Sequence, residues 1–192
     1  MIIGSNSAEV TAGFVNARSK DSLLALFGTM NAEAAAAYDP EGKIEFPRML
    51  TLVNTDKVWA EPARFTARAF VKNGAPAYLY LFSYVPAALR ERLRFGAPHA
   101  SEIAYVFNTL ADRNGVAVTP ADREIARMMN AYWINFAKTG NPNGNGLPNW
   151  PVFDANKQEV FECREDGSAG NTADMRKSRL DVIEKLATGR KQ

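Results

Sequence analysis

The segment Ala77 to Val85 constrains the fold more than any other stretch of this chain. It is rich in tyrosine and β-favouring residues, and both faces that a strand would present here are largely apolar. Such a strand must be covered on both sides, which places it inside an α/β sheet rather than in an exposed hairpin. Helical sequence precedes it. Glu61-Pro62 reads as a helix start, and Ala63, Ala67, Phe70 and Val71 recur at i, i+4, i+7 and i+8 before the turn signal Asn73-Gly74. Helix, short turn and buried strand make half of a crossover unit.

The rest of the chain reads around that unit. Met1-Ile2-Ile3 is either the tail of a buried strand whose first half lies upstream or a methionine followed by two incidental isoleucines, and Gly4 to Ser7 has the residues of a loop. Asp21 to Tyr38 predicts two short helices, broken by Asp39-Pro40. After the strand come an Arg-rich stretch, Arg90 to Arg94, and a loop, Phe95-Gly96-Ala97-Pro98-His99; Ile103, Val106, Phe107 and Leu110 then predict a short amphipathic helix. The clearest helix runs from about Thr119 to Lys138, with Thr119 as cap, Pro120 in the first turn and Gly140 with Pro142 beyond its end. Its stripe of Ile125, Met128, Met129, Tyr132, Trp133 and Phe136 is core packing. Val160 to Cys163 predicts a last strand, and Leu180, Ile183 and Leu186 a closing amphipathic helix that docks on the body of the protein. No linker or repeat divides residues 1–192, so a single domain is expected.

Composition narrows the function. A formal net charge of +2 over 192 residues gives no electrostatic footprint for nucleic acid or for a polybasic membrane tether. No apolar run approaches the roughly 20 residues of a spanning helix, so no membrane partner is expected, and with no recognisable signal peptide the compartment is left unassigned. One cysteine, Cys163, and one histidine, His99, exclude a disulfide framework, a Cys-based zinc site and a His-rich metal site. Loops of the types Gly-x-x-x-x-Gly-Lys-Ser/Thr and Gly-x-Gly-x-x-Gly are missing too, and no metal or organic cofactor is expected.

With one histidine, a general base working near neutral pH is His99 or a carboxylate of raised pKa. A histidine base needs an acceptor for its second nitrogen, and Glu9 and Glu102 are the candidates on strand-end loops. Loops at the carboxyl ends of parallel strands converge on one edge of a sheet, so Glu9 and His99 can meet although 90 residues separate them in sequence. A surface histidine and a solvated carboxylate without chemistry remain open at this level. None of the eight serines has glycines at the Gly-x-Ser-x-Gly spacing of a nucleophile elbow.

Several segments, in order, resemble the carboxyl-terminal part of the type-B carboxylesterases, the cholinesterase-like branch of the α/β-hydrolases. Ile3-Gly4-Ser5-Asn6-Ser7-Ala8-Glu9 is similar to the strand-end segment holding the family's acidic triad member. Thr55-Asp56 through Pro62, with Ala77 to Phe82, looks like the family's helix and following strand. Gly96-Ala97-Pro98-His99-Ala100-Ser101-Glu102-Ile103-Ala104-Tyr105-Val106-Phe107 resembles the block of the catalytic histidine. Tyr132 to Asn143 and Leu147-Pro148-Asn149-Trp150-Pro151 are similar to the most recognisable carboxyl-terminal block.

The resemblance implies the carboxyl-terminal portion of an α/β-hydrolase fold, its sheet incomplete without upstream strands. It implies Glu9 as acid, His99 as base and Glu102 in a polar network behind the histidine. Because the triad runs Ser, Asp/Glu, His along the chain, the serine and the oxyanion donors are expected upstream, in the missing amino-terminal portion of the same fold. The expected substrate of the complete protein is a small carboxylic ester, and the chain alone is expected to be inactive. Relatives without activity serve as adhesion or binding proteins, so a noncatalytic hydrolase-like module and an inactive truncated gene product stand as alternatives. Three positions depart from the family pattern: Ala8 and Val10 flank the acid where Asp and Gly are usual, and Ala100 follows the histidine where Gly is usual, narrowing the backbone angles allowed there.

Overall fold

The strand expected around Ala77 to Val85 is β2, Tyr78–Phe82, and the sheet is organised about it. The structure, a computed structural model, describes residues 1–10, 13–112 and 116–189. Four strands lie in the order β1 (Ile2–Asn6), β2, β3 (Glu159–Cys163), β4 (Ala169–Ala173); the first three are parallel and β4 runs antiparallel to β3. Between β1 and β2 come α1 (Lys20–Ala25), α2 (Asn31–Tyr38), α3 (Phe46–Thr55) and α4 (Glu61–Lys72). Between β2 and β3 come α5 (Ile103–Val106) and α6 (Pro120–Thr139), and α7 (Lys177–Gly189) follows the sheet.

β2 is covered on both faces. Tyr78 and Phe82 enter a cluster with Ile125, Met129 and Tyr132 of α6, while Leu79 and Leu81 pack with Ala63 and Ala67 of α4 and with Phe153. The α6 stripe behaves as its sequence predicts, with a reciprocal cap in which Thr119 Oγ1 accepts from Asp122 N–H and Asp122 Oδ2 accepts from Thr119 N–H. Trp150 closes this core from the Asn/Pro-rich loop after α6. Its ring stacks on Phe161, with centroids 4.7 Å apart, and meets Tyr132 edge-on. Asn143 fixes the loop by donating to Trp150 O and accepting from Trp150 N–H.

Three expectations are corrected. Residues Gly4 to Asn6 are strand, paired residue for residue with Tyr80 to Phe82, so β1 is five residues long and does not stop at Ile3. Their small and polar side chains answer burial rather than a turn: a Cβ on Gly4 would stand 2.3 Å from Tyr80 O and 2.4 Å from its ring, and Ser5 and Asn6 are buried with polar partners. β3 is followed by β4, whose Ala-Gly-Asn-Thr-Ala sequence carries little β-propensity and is recruited by pairing with β3. α5 is a single turn, and Ile103 and Phe107 of its expected apolar face are exposed, because the chain leaves the helix at Asn108, with φ 51°. Leu180 and Ile183 of α7 are buried as expected.

The helical run before β2 is longer than its sequence pattern suggests. α3 passes into α4 through a wide, π-helical turn, Asp56–Ala60, in which Glu61 N–H reaches Asp56 O. Pro62, which has no N–H to donate, is accommodated just beyond that widened turn. Behind the turn the fully buried Asp56 faces Arg179 of α7 at 3.0 Å. Farther along, Arg64 of α4 is buried among Glu61 at 2.5 Å, Asp181 at 2.8 Å and Glu184 at 3.3 Å, tying α4 to α7.

Two outcomes follow from this packing. Gly4→Val should destabilise the chain by about 2–4 kcal/mol, because the strand would have to leave the Tyr80 ring; equilibrium urea unfolding measures it. Burial pushes the Glu61 carboxyl up to about 7, outweighing the pull of Arg64. A carboxyl raised in the folded state contributes stability that is present below its ordinary value of 4.5 and is lost as pH rises through about 7. Unfolding free energies measured from pH 5 to 8 should therefore fall more steeply for the native chain than for Glu61→Gln.

Candidate active site

At the carboxyl ends of β1 and β2 the backbone itself brings Glu9 to His99. Ser7 N–H continues the β1 pairing by donating to Phe82 O, Ala8 N–H donates to Ala97 O, and His99 N–H donates to Glu9 O at 2.9 Å. Residues 7–9 thus lie along residues 97–99. The approach depends on Gly96, whose φ is 127° and where an added Cβ would sit 2.4 Å from Ser7 Oγ, the atom that accepts Ala97 N–H.

With the main chains aligned, Glu9 Oε2 lies 2.6 Å from His99 Nδ1, and Glu9 Oε1 accepts Asn6 N–H at 2.7 Å. Glu9 N–H donates to Thr55 Oγ1 at the end of α3, so the acid is held by its main chain and by both carboxylate oxygens. The two side chains differ sharply in exposure, 6% for Glu9 and 58% for His99. A buried carboxylate on Nδ1 fixes the ring's orientation and leaves Nε2 on the open side, where no hydrogen bond reaches it among the described residues. Chemically, such a pair can take a proton at Nε2 and stabilise the resulting imidazolium through Glu9.

Glu102 does not touch the histidine. Its Oε2 accepts from Asn6 Nδ2 at 2.6 Å, and the same amide donates to Pro98 O at 2.7 Å. Asn6 therefore joins three parts of the site: its main chain holds Glu9, and its side chain holds Glu102 and the peptide just before His99. Sequence reasoning passed over Asn6 as a turn residue; the one available signal was a carboxamide three positions before the acid. Burial, with Glu102 and Glu9 nearby, raises the Tyr80 phenol well above its ordinary range, so it stays protonated beside the site. Among the described residues no three His, Cys, Asp or Glu side chains gather as a metal site needs, and no helix is long and apolar enough to cross a membrane.

A family model described as the carboxylesterase family matches residues 10–182. The chain belongs to the carboxylesterase family. His99 and Glu102 fall inside the matched range, and Glu9 lies one residue ahead of it. Among curated relatives, the chain is 37% identical over 105 residues to human cocaine esterase, covering 54% of this chain and 19% of that one. It is 34% identical over 123 residues to the mouse pyrethroid hydrolase Ces2a, covering 62% and 21%. The chain thus spans about a fifth of the length of the curated relatives it matches.

Solved structures agree on the fold. A PNB esterase superposes with a TM-score of 0.68 at 22% identity, covering 95% of this chain and 37% of that chain. The Geobacillus stearothermophilus carboxylesterase EST55 does so with a TM-score of 0.65 at 28% identity, covering 84% and 34%. The carboxylesterase fold is an α/β-hydrolase fold, and this chain, with its four-stranded mixed sheet, is a portion of it.

One departure from the family pattern has a structural cost. Ala100, directly after the histidine, has φ 61°, a left-handed conformation in which a Cβ crowds the following carbonyl. Ala100→Gly should raise the unfolding free energy by about 0.5–1 kcal/mol, the relief of strain exceeding the added entropy of the unfolded chain. Thermal and urea unfolding of the two chains measure the difference.

Proposed function

We propose that residues 1–192 are one segment of a single α/β-hydrolase domain and that they supply the acid and base of a serine carboxylic ester hydrolase. The observation that carries this reading is the 2.6 Å contact between the buried Glu9 carboxylate and Nδ1 of a histidine whose other nitrogen faces outward. In the proposed cycle a serine from the upstream portion of the same fold attacks an ester carbonyl while His99 Nε2 takes its proton. His99 then returns that proton to the departing alcohol, and Glu9 holds the ring and stabilises its charged form. Water repeats the sequence on the acyl-enzyme, releasing the acid and regenerating the serine. Membership in the carboxylesterase family supports the reaction class, and the fraction of the relatives that the chain spans fits a nucleophile and oxyanion donors lying upstream.

The arrangement favours the catalytic reading over a noncatalytic module. Burying an ionised carboxylate costs several kcal/mol unless partners compensate it, and here the partners aim it at one open imidazole. Glu102, acting through Asn6, supports the loop that carries His99 and has no direct part in proton transfer.

The test is hydrolysis of a small activated ester. The 192-residue chain should be inactive by itself and should give turnover when combined with the amino-terminal portion of the same fold that carries the serine. In the combined protein His99→Ala should lower kcat by about 10³-fold or more, and Glu9→Gln by about 10²- to 10⁴-fold with little change in KM. Turnover by the isolated chain that requires His99 would show a nucleophile inside it and overturn the proposal.

A further inference from the structure

The His99 ring, although exposed, has a second neighbour besides Glu9. Trp59, in the wide turn between α3 and α4, lies with its ring centroid 5.4 Å from the imidazole centroid, the planes inclined at 50°. Phe14 packs edge-on against Trp59 at 5.1 Å. The turn is held at its start, where Thr55 accepts Glu9 N–H and Asp56 is buried against Arg179. The π-helical geometry, one residue wider than an α-turn, places Trp59 on the side of the turn that meets the histidine.

We propose that Trp59 is a positioning residue for His99, its indole stabilising the imidazolium that forms during proton transfer. The inference rests on the acid–base reading of Glu9 and His99 but does not need activity to be examined. An aromatic ring within about 6 Å attracts a cation, whereas the same ring, by excluding water, disfavours charge. His99 remains 58% exposed, so most of its hydration survives and the attraction outweighs the loss of water. The charged groups on the elements around the ring are Glu9 at the end of β1, Lys57 on the wide turn and Glu102 beyond the loop. Lys57 is exposed and its repulsion screened, Glu102 is engaged with Asn6, and Asp56 is turned into the core.

Because the chain has one histidine, a ¹⁵N-histidine-labelled sample gives a single imidazole whose titration is followed by NMR without assignment. Trp59→Leu should lower the His99 titration midpoint by about half a pH unit, and Trp59→Phe by less. An unchanged midpoint in both variants, or a rise in Trp59→Leu, would overturn the proposal, the rise meaning that water exclusion dominates. Trp59→Phe keeps an aromatic ring and decides the matter if the leucine variant does not fold. Glu9→Gln, run in parallel, should lower the midpoint more than either. A silent Glu9→Gln beside a shifted Trp59→Leu would sink the Glu9–His99 reading and leave the indole contact standing, so the two failures are distinguishable.

Discussion

The parallel pairing of β1 with β2 is the constraint on which the site depends. Five residues in register, Ile2 with Tyr78 through Asn6 with Phe82, determine where each chain leaves the sheet. Both exits are then pinned to each other by main-chain hydrogen bonds, so residue 9 arrives at residue 99 before any side chain has been placed. A slip of one residue would invert every side chain of β1 and carry Asn6 away from the histidine loop. The contact between acid and imidazole is therefore a consequence of sheet register, and the side-chain hydrogen bonds refine a juxtaposition that the backbone has already made.

What surrounds the pair explains how a charged group is kept at a sheet edge. Glu9 is compensated by the amide of Asn6 at the end of β1 and by the histidine, while its backbone is caught by Thr55. Deeper in the molecule, buried charge is handled differently. Arg176 pairs with Asp174 and donates to Ser5, and Arg64 is shared among three carboxylates. Those groups join β1, α4 and α7 into one body, and the Glu61 carboxyl, pushed up chiefly by its burial, reports the cost of taking an acid out of water there. His99, by contrast, stays exposed beside its buried carboxylate partner.

Much of this was legible in the amino-acid sequence, for reasons tied to particular residues. The two-faced apolar pattern of Tyr78 to Phe82 gave a covered strand, the Thr119 cap and the stripe to Phe136 gave α6, and the blocks around His99 and from Tyr132 to Pro151 carried the resemblance to the family. Periodicity could not show the rest. β4 owes its conformation to a neighbour rather than to its own residues. Gly4, Ser5 and Asn6 look like turn formers because the residues that tolerate tight turns are also those that fit beneath an aromatic ring or carry compact hydrogen-bonding groups. Asn6 is the costliest of these misreadings, since the carboxamide that knits the site together is invisible until its partners, about 90 residues away, are placed beside it.

The wide turn between α3 and α4 has a consequence for how this segment tolerates change. Removing one residue from Asp56–Ala60 would restore ordinary helical winding, and every position beyond the deletion would rotate by about 100° relative to those before it. Either the buried aspartate or the start of α4 would then lose its seat, whichever side chains were retained. Chain length, more than chemical identity, is thus the property that this stretch must conserve, and insertions or deletions there should be rarer among functional descendants than substitutions at the same positions.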